Sequence, residues 1–420
     1  MIFRKLIYAV LIASLPGISI AQNYDIVIKG GHVIDPKNKI DAVMDLGIKD
    51  KKIALIARNI DATQGKKVIN AKGLYVTPGI IDAHVHVYYG NKMDQGLMDG
   101  PSSVQADAFS FRAGVTTMVD VGSSGYRTFP KFKETAIDGS QTRILALINI
   151  AGEGMRGGPF EQTTKDMIPA RAAEVAKKYP DIVVGFKLAH YSGHEWGPTD
   201  SVVAAGKLAN LPVMIDFGGA TPPLPLEELL MKHLRPGDIY THAYAYFPDS
   251  RDAVIDENGK VKPFIFEAQK RGIIFDVGHG GGAFHWKQAI PSVKQGFIAD
   301  VISSDLHIGS MNSGMKDMAN LLSKFLNMGL PLEDVIKRAT LNPAKAIKRP
   351  DLGTLGEGSE ADIAVFSLRK GDFGFLDVRG TKMKGSQKLE AELTIRSGRI
   401  VWDLNGIGSP AWDAIPSASK

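Results

Sequence analysis

Two imidazoles stand two residues apart in Gly79-Ile-Ile-Asp-Ala-His-Val-His-Val87, a run whose other side chains are mostly those of a buried strand. A polar ring buried without a partner costs free energy, so His84 and His86 need a reason to be there. Alternate residues of a strand face the same way, which is expected to place Asp82, His84 and His86 on one side. A single histidine there would be read as a hydrogen-bonded core residue. Two at strand pitch, near a strand end, are better explained by a metal ion. The chain has no cysteine, which excludes disulfides, thiolate ligands and a cysteine nucleophile. Any metal must be held by nitrogen and oxygen.

Other polar residues interrupt apolar runs in the same manner. Lys187 lies in Val183-Val-Gly-Phe-Lys-Leu-Ala189, where a free ammonium is costly unless it is paired or chemically changed. His242 follows Asp238-Ile-Tyr-Thr, and Asp305 closes Ala299-Asp-Val-Ile-Ser-Ser-Asp305. Each has a plain explanation: the lysine could reach outward, and the histidine or the aspartate could cap a helix. Counted with the histidine pair, four such coincidences at strand ends are less economical than one shared site.

The elements that must carry these groups are strands alternating with helices. Apolar stretches at 79–87, 116–121, 143–150, 182–189, 212–217, 239–244, 273–277 and 300–305 read as strands. Amphipathic segments follow nearly all of them, among them those beginning Val104-Gln-Ala, Pro169-Ala-Arg, Pro225-Leu-Glu and Val261-Lys-Pro. Eight βα units over roughly 250 residues predict an α/β fold, a (β/α)8 TIM barrel, with chemistry at the C-terminal ends of its strands. Short alternating strands occur instead at 24–76 and again at 361–368 and 388–406, so a small β-sandwich domain built from both termini is expected. The divisions are 1–21 as a signal peptide, 22–76 with 350–406 as the composite β-sandwich, 77–349 as the barrel and 407–420 as an irregular tail.

The set Asp82-Ala-His84-Val-His86, Lys187, His242 and Asp305 in Ser303-Ser-Asp-Leu-His307 resembles the amidohydrolase superfamily. The similarity continues through 275–284, 323–347, 352–366 and 393–403, in segments closer to the dihydroorotase-like and N-acyl-D-amino-acid or acyl-ester deacetylase branch than to the nucleobase deaminases. It implies a metal-dependent barrel in which His84, His86 and Asp305 hold one divalent cation, taken as Zn2+, a carboxylated Lys187 bridges to a second, and His242 serves that second site. One position departs: the fifth strand of the related sequences ends in histidine, where this chain has Asp216. A carboxylate can bind zinc at a similar distance to an imidazole, but it adds negative charge, so Asp216 is a candidate ligand at a second site whose occupancy stays open. His190 and His194, just beyond Lys187, could reach in to compensate, against the plainer reading that they are loop or substrate-contact residues.

The chemistry so implied is acyl transfer to water. Zn2+ lowers the pKa of a bound water from ~15.7 to ~7, and Asp305 would take its proton and pass it to the leaving group. Substrate contacts are sought in Val277-Gly-His-Gly-Gly-Gly-Ala283: the backbone of Gly280 and Gly281 could approach a substrate carboxylate, and His279 could donate to the same molecule. His190 is a further contact candidate, and Arg156, Tyr191 and His307 are loop candidates. The alternative for the glycines is a tight turn.

Composition narrows the partners. The basic start Arg4-Lys5, the apolar run to Ile20 and the small residues before Gln22 read as a secretory signal, so the protein is expected to be exported, periplasmic or secreted. Removing Arg4 and Lys5 takes the formal net charge from +5 to +3, and the remaining charges are interspersed. No nucleic-acid surface or stable membrane insertion is expected. A small acylated substrate is, and an oligomer stays open. Two rivals remain: a cyclic amidase of the dihydroorotase type, for which the expected arginine and asparagine pattern is missing, and a degenerate, non-catalytic binding protein of the cell envelope.

Overall fold

The computed structural model describes residues 22–414. The expected signal peptide, and 415–420 of the expected tail, lie outside the described residues. Two sheets organise the chain. The first takes β1 (Tyr24–Asp35), β2 (Ile40–Lys49), β3 (Lys52–Ala57), β4 (Gly65–Asn70) and β5 (Tyr75–Pro78) from the N-terminal side. The second runs in chain order through β6 (Ile80–Val85), β7 (Val115–Gly125), β8 (Arg143–Asn149), β9 (Val183–Leu188), β10 (Val213–Ile215), β11 (Ile239–Tyr240) and β12 (Ile274–Phe275). The chain then returns to the first sheet with β13 (Ile363–Leu376), β14 (Lys382–Arg396) and β15 (Arg399–Asp403).

All neighbours in the seven-stranded sheet are parallel. Its strands are buried on both faces, which is why they read as near-continuous apolar runs rather than as alternation. Residues 300–305, expected as an eighth strand, form no strand, and neither does Leu306 after them. They make isolated parallel bridges instead, Val301 to Asp276 and Leu306 to Val85, one to each edge of the sheet. Ile81, Val119, Leu145, Val184, Met214, Ile239 and Val301 share one buried cluster, so this stretch packs with the others; the carbonyls of serines 303 and 304 accept from the backbone at 279 and 280, while their hydroxyls go to Asp276 and Asp82. The segment 104–114, expected as a helix, gives two short 3-10 turns, Ala106–Ala108 and Phe111–Ala113. Pro169–Lys178 and Pro263–Arg271 are helices as expected, the latter ended by Gly272 at φ +100°.

The first sheet is continuous, in the order β15-β14-β13-β5-β1-β2-β3, with β4 also on β1. Strands from both ends of the chain do combine, through the antiparallel β13–β5 pair. β1 slips in register between Ile28 and Gly31, and its two halves pair with β4 and β5 in turn. β13 runs well past the expected 361–368, the expected 388–406 divides into β14, which begins earlier at Lys382, and β15, and the β13–β14 hairpin packs on the helix Met318–Asn327, where Asn327 bonds the backbone of Ser386 and Gln387. The two sheets are tied by Arg143, which donates to Asp362 at 2.6 Å, while Arg396 meets the same carboxylate from the other side. No helix among the described residues is long and apolar enough to cross a membrane.

Candidate metal centre

β6 is not a regular strand at the point that matters. Its pairing with β7 slips between Asp82 and Val85, so the period-of-two argument does not carry across it. Asp82 turns its carboxylate away, accepting from the Ser304 backbone N–H at 3.0 Å and from the Ser304 hydroxyl. Burial pushes this carboxyl up to about 7. Asp82 therefore anchors the residue next to Asp305. His84 and His86 face Asp305 itself: Oδ1 lies 3.1 Å from His86 Nε2 and 3.5 Å from His84 Nε2.

Every imidazole here is held by its other nitrogen. His84 Nδ1 lies 3.0 Å from Thr241 Oγ1 and 3.2 Å from Asp276 Oδ2, His86 Nδ1 lies 2.9 Å from Ser123 Oγ, and His242 Nδ1 donates to Gly278 O at 2.6 Å. This is the arrangement that orients histidine metal ligands: the outer contact fixes the ring and leaves Nε2 for the ion. The holders are themselves held, since Asp120 accepts from the Ser123 N–H and Asp276 accepts from the Thr241 and Ser303 hydroxyls. One donor atom each from His84, His242 and Asp305 fit within 4.8 Å of one another, a span a single cation can bridge.

A second lobe forms around Asp216. Its Oδ2 lies 3.6 Å from His242 Nε2 and 3.7 Å from His190 Nε2. Its Oδ1 accepts from Arg251 Nη1 at 3.2 Å. The Arg251 side chain is only 3% exposed, and it also donates to the Thr241 carbonyl at 2.7 Å. Sequence reasoning passed over Arg251, because an arginine in a Pro- and Asp-rich loop carries no signal of burial.

Between these lobes stands Lys187, fully buried, with an Nζ that has no hydrogen-bond partner among the described residues. Burial holds its amine below the ordinary lysine range, against the pull of Asp216 and Asp305. Burial alone would raise the Asp305 carboxyl; His84, His86 and His307 outweigh it and hold the group well below the usual range. Burial and the nearby Lys187 push His84 down to about 4, which keeps the ring neutral and able to ligate.

The floor beneath Lys187 is glycine. Gly122 has φ +85°, and a Cβ on it would lie 2.8 Å from Lys187 Cβ. Gly122→Ala is expected to cost about 1–3 kcal/mol from the strained backbone and to lower activity by shifting Lys187. Thermal denaturation read beside turnover checks this; a variant equal to the parent in both refutes it.

Several expected substrate contacts are placed otherwise. The His279 ring is buried and stacked on Phe284 at 4.5 Å. Its Nδ1 donates to Gly280 O at 2.9 Å, and its Nε2 accepts from Lys324 Nζ at 2.7 Å, so no ring nitrogen is left to meet a substrate. The backbone N–H groups of Gly278, His279 and Gly280 go to Ser303 Oγ, Ser303 O and Ser304 O. The glycine run thus continues the pairing of the sheet edge, and Gly280 offers no amide to an anion. Its need for glycine is local: φ is +59°, and a Cβ would lie 2.4 Å from Asp305 Oδ2. Gly281 is half-buried against Gly309. His190 reaches the second lobe, while His194 is exposed and makes no contact with it. Tyr191 donates to Glu195, and Arg156 stacks 4.0 Å over Phe160. His307 caps the short helix after Asp305, with its ring 6.3 Å from His86.

Lys324 was not expected at all. Burial brings its amine down to about 7, and it donates to His279, Gly314 O and Leu376 O, each at 2.7 Å. Lys324→Met strands these acceptors, and each unmet buried group costs about 1–3 kcal/mol. A destabilisation of at least about 3 kcal/mol is expected in denaturant unfolding; a loss under about 0.5 kcal/mol would show that the network carries no weight.

Residues 283–401 match the amidohydrolase family. The chain is 32% identical over 348 residues to a deacetylase of Brucella anthropi, across 81% of this chain and 83% of the relative. Among solved structures it is similar to a protein described as an adenine deaminase, with TM-score 0.81 and 26% identity over 90% of this chain and 100% of the other. It is also similar to a dihydroorotase, with TM-score 0.78 and 27% identity over 90% of this chain and 99% of the other.

Proposed function

This chain belongs to the amidohydrolase superfamily and is a hydrolytic enzyme, and from that premise we propose that it hydrolyses an acyl C–N or C–O bond of a small substrate bearing a carboxylate, using one or two divalent cations, Zn2+ foremost. An N-acyl amino acid or an acylated hydroxy acid is the substrate class, in keeping with the deacetylase relative. The observation that carries this reading is the convergence of four imidazole ε-nitrogens on two carboxylates beside a buried amine with no partner.

The residues fit a metal centre. His84, His86 and Asp305 would hold one ion and His242 and Asp216 the other, with Lys187 between them once carboxylated. In that modification the neutral amine of Lys187 would attack the carbon of CO2, forming an N–C bond as one C=O π pair moves onto oxygen, and the nitrogen would release a proton to water, which turns a buried donor into a carbamate oxygen ligand. A divalent cation here supplies an acidified water, its pKa lowered from ~15.7 to ~7, and polarises a scissile carbonyl. Asp305 is ionised and turns Oδ1 to the histidines, while Oδ2 lies against Gly280. It takes the proton of the attacking water and returns it to the leaving nitrogen or oxygen.

Architecture and location complete the reading. Seven strands and the segment 300–306 correspond to a (β/α)8 barrel over 77–349, and 22–76 with 350–406 to the terminal β-domain. The leader-like run 1–21 supports a location outside the cytoplasm; N-terminal sequencing of exported protein should begin at Gln22.

The test is an assay of N-acetyl-amino acids and acetyl-hydroxy acids before and after exhaustive chelation. Turnover on at least one, abolished by chelation and restored by Zn2+, is the expected result. Turnover that survives complete removal of metal overturns the metal-dependent reading, and a chain that takes up no metal and hydrolyses none of the panel would be the non-catalytic binding protein. The similarity to a dihydroorotase favours a second reading, ring-opening of a cyclic amide, so dihydroorotate belongs in the panel.

A further inference from the structure

The fifth strand supplies Asp216 where the resemblance expects an imidazole, which leaves the second lobe one nitrogen short. We propose that His190, held by Glu161, supplies that nitrogen and is a ligand of the second cation; the inference rests on reading the two lobes as cation sites.

His190 follows β9 directly, two residues beyond Leu188, so it stands at the same sheet end as Lys187. Its backbone is left-handed, φ +56°, as are those of His242 at +59° and Asp305 at +50°. For a residue with a Cβ this conformation is unfavourable. Two residues just past strands, His190 and His242, and Asp305 in the bridging segment bear it here, and in each the side chain turns into the centre. Left-handed residues also occur in ordinary turns such as Asp50-Lys51, so the backbone alone would not single out His190.

The side-chain geometry does. His190 Nε2 and His242 Nε2 approach the same oxygen, Asp216 Oδ2, at 3.7 and 3.6 Å. The other oxygen of Asp216 is taken by Arg251. On its far side, His190 Nδ1 donates to Glu161 Oε2 at 2.7 Å, and Glu161 is buried, fixed in the short 3-10 turn Gly158–Glu161. A carboxylate behind the ring and an ε-nitrogen facing the site is the outer-contact pattern already seen for His84. Charge balance agrees. Asp216 in place of an imidazole adds one negative charge, and the buried Arg251 cation offsets it, so the lobe lacks a neutral donor rather than charge.

A competing arrangement uses the same contacts: His190 as an imidazolium clamped between Glu161 and Asp216. Loss of hydration at the inward-facing side of the ring disfavours that charge, but the two carboxylates outweigh it and raise the ring to about 9. The two arrangements differ in what metal binding requires of the ring.

Zinc and cobalt stoichiometry and affinity, measured by equilibrium dialysis on the full chain after chelation and reconstitution, separate them. The parent should take up two ions and His190→Ala one, or two with the second weakened at least about tenfold, as loss of a ligand contact implies. The cobalt absorption spectrum should lose the component of the weaker ion. Asp216→His added to His190→Ala should restore the second ion. Since half of the His190 side chain is exposed, the variant is expected to fold, and retention of the first ion verifies that it has. Equal stoichiometry and affinity in parent and His190→Ala overturns the inference while the hydrolase reading stands. A parent that binds no metal overturns the reading on which both depend.

Discussion

Asp305→Asn is expected to lower turnover by about 10²–10⁴-fold, the range that positioned acid–base groups contribute, while metal content stays close to that of the parent. The amide keeps the shape of the carboxylate and an oxygen facing the His84 and His86 ε-nitrogens, 3.5 and 3.1 Å away in the parent. What it loses is the capacity to accept a proton and carry it to the leaving group. The backbone should tolerate the exchange, because asparagine is among the residues that adopt the left-handed conformation found there, φ +50°. Steady-state kinetics and elemental analysis on the same preparation check the claim. Unchanged turnover would remove Asp305 from proton transfer; metal loss in step with activity would make it a ligand only.

Lys187→Met has the opposite signature in stability. Methionine nearly matches the lysine in length and removes an amine that is buried without a partner, a group worth about 1–3 kcal/mol of destabilisation. The metal-free variant should therefore unfold at the same temperature as the metal-free parent or higher. Its activity should fall by at least about 10²-fold, the scale of losing one preorganised electrostatic contact in a reaction centre, and its second ion should be lost. A variant that is less stable without metal would mean that Lys187 has a structural partner in solution. One with parental activity would end its role as the bridge.

Much of the site was legible because its donors are chemically conspicuous. His84, His86, Lys187, His242 and Asp305 each stand out as polar residues in apolar strand contexts, and the structure brings all five to one end of the parallel sheet. The supporting carboxylates carried the same signal in weaker form. Asp120 and Asp276 also interrupt apolar strand stretches, but an isolated aspartate there is as easily a cap, so only contact with Ser123 and Thr241 reveals its part. The glycine run at 278–282 misled for a related reason: glycine reports that backbone must come close to something, not to what. For residues 278–280 the close neighbours are His84, His242, Asp305 and serines 303 and 304, while Gly281 meets Gly309.

By itself the sequence determined the kind of donor atoms on offer and the class of frame. The absence of cysteine, the spacing of histidines and the alternation of apolar runs with amphipathic ones are local properties, written in residue type and order. Tertiary structure alone decided which way the donors point and who holds them. Arg251 reaches Asp216 from 35 residues away, Glu161 reaches His190 from 29, and Asp276 reaches His84 from 192. Side chains at strand ends also escape the alternation rule, because a register slip at β6 and left-handed backbone at His190, His242 and Asp305 re-aim them. Such turns are fixed by packing between distant segments, and packing has no period that a linear chain displays.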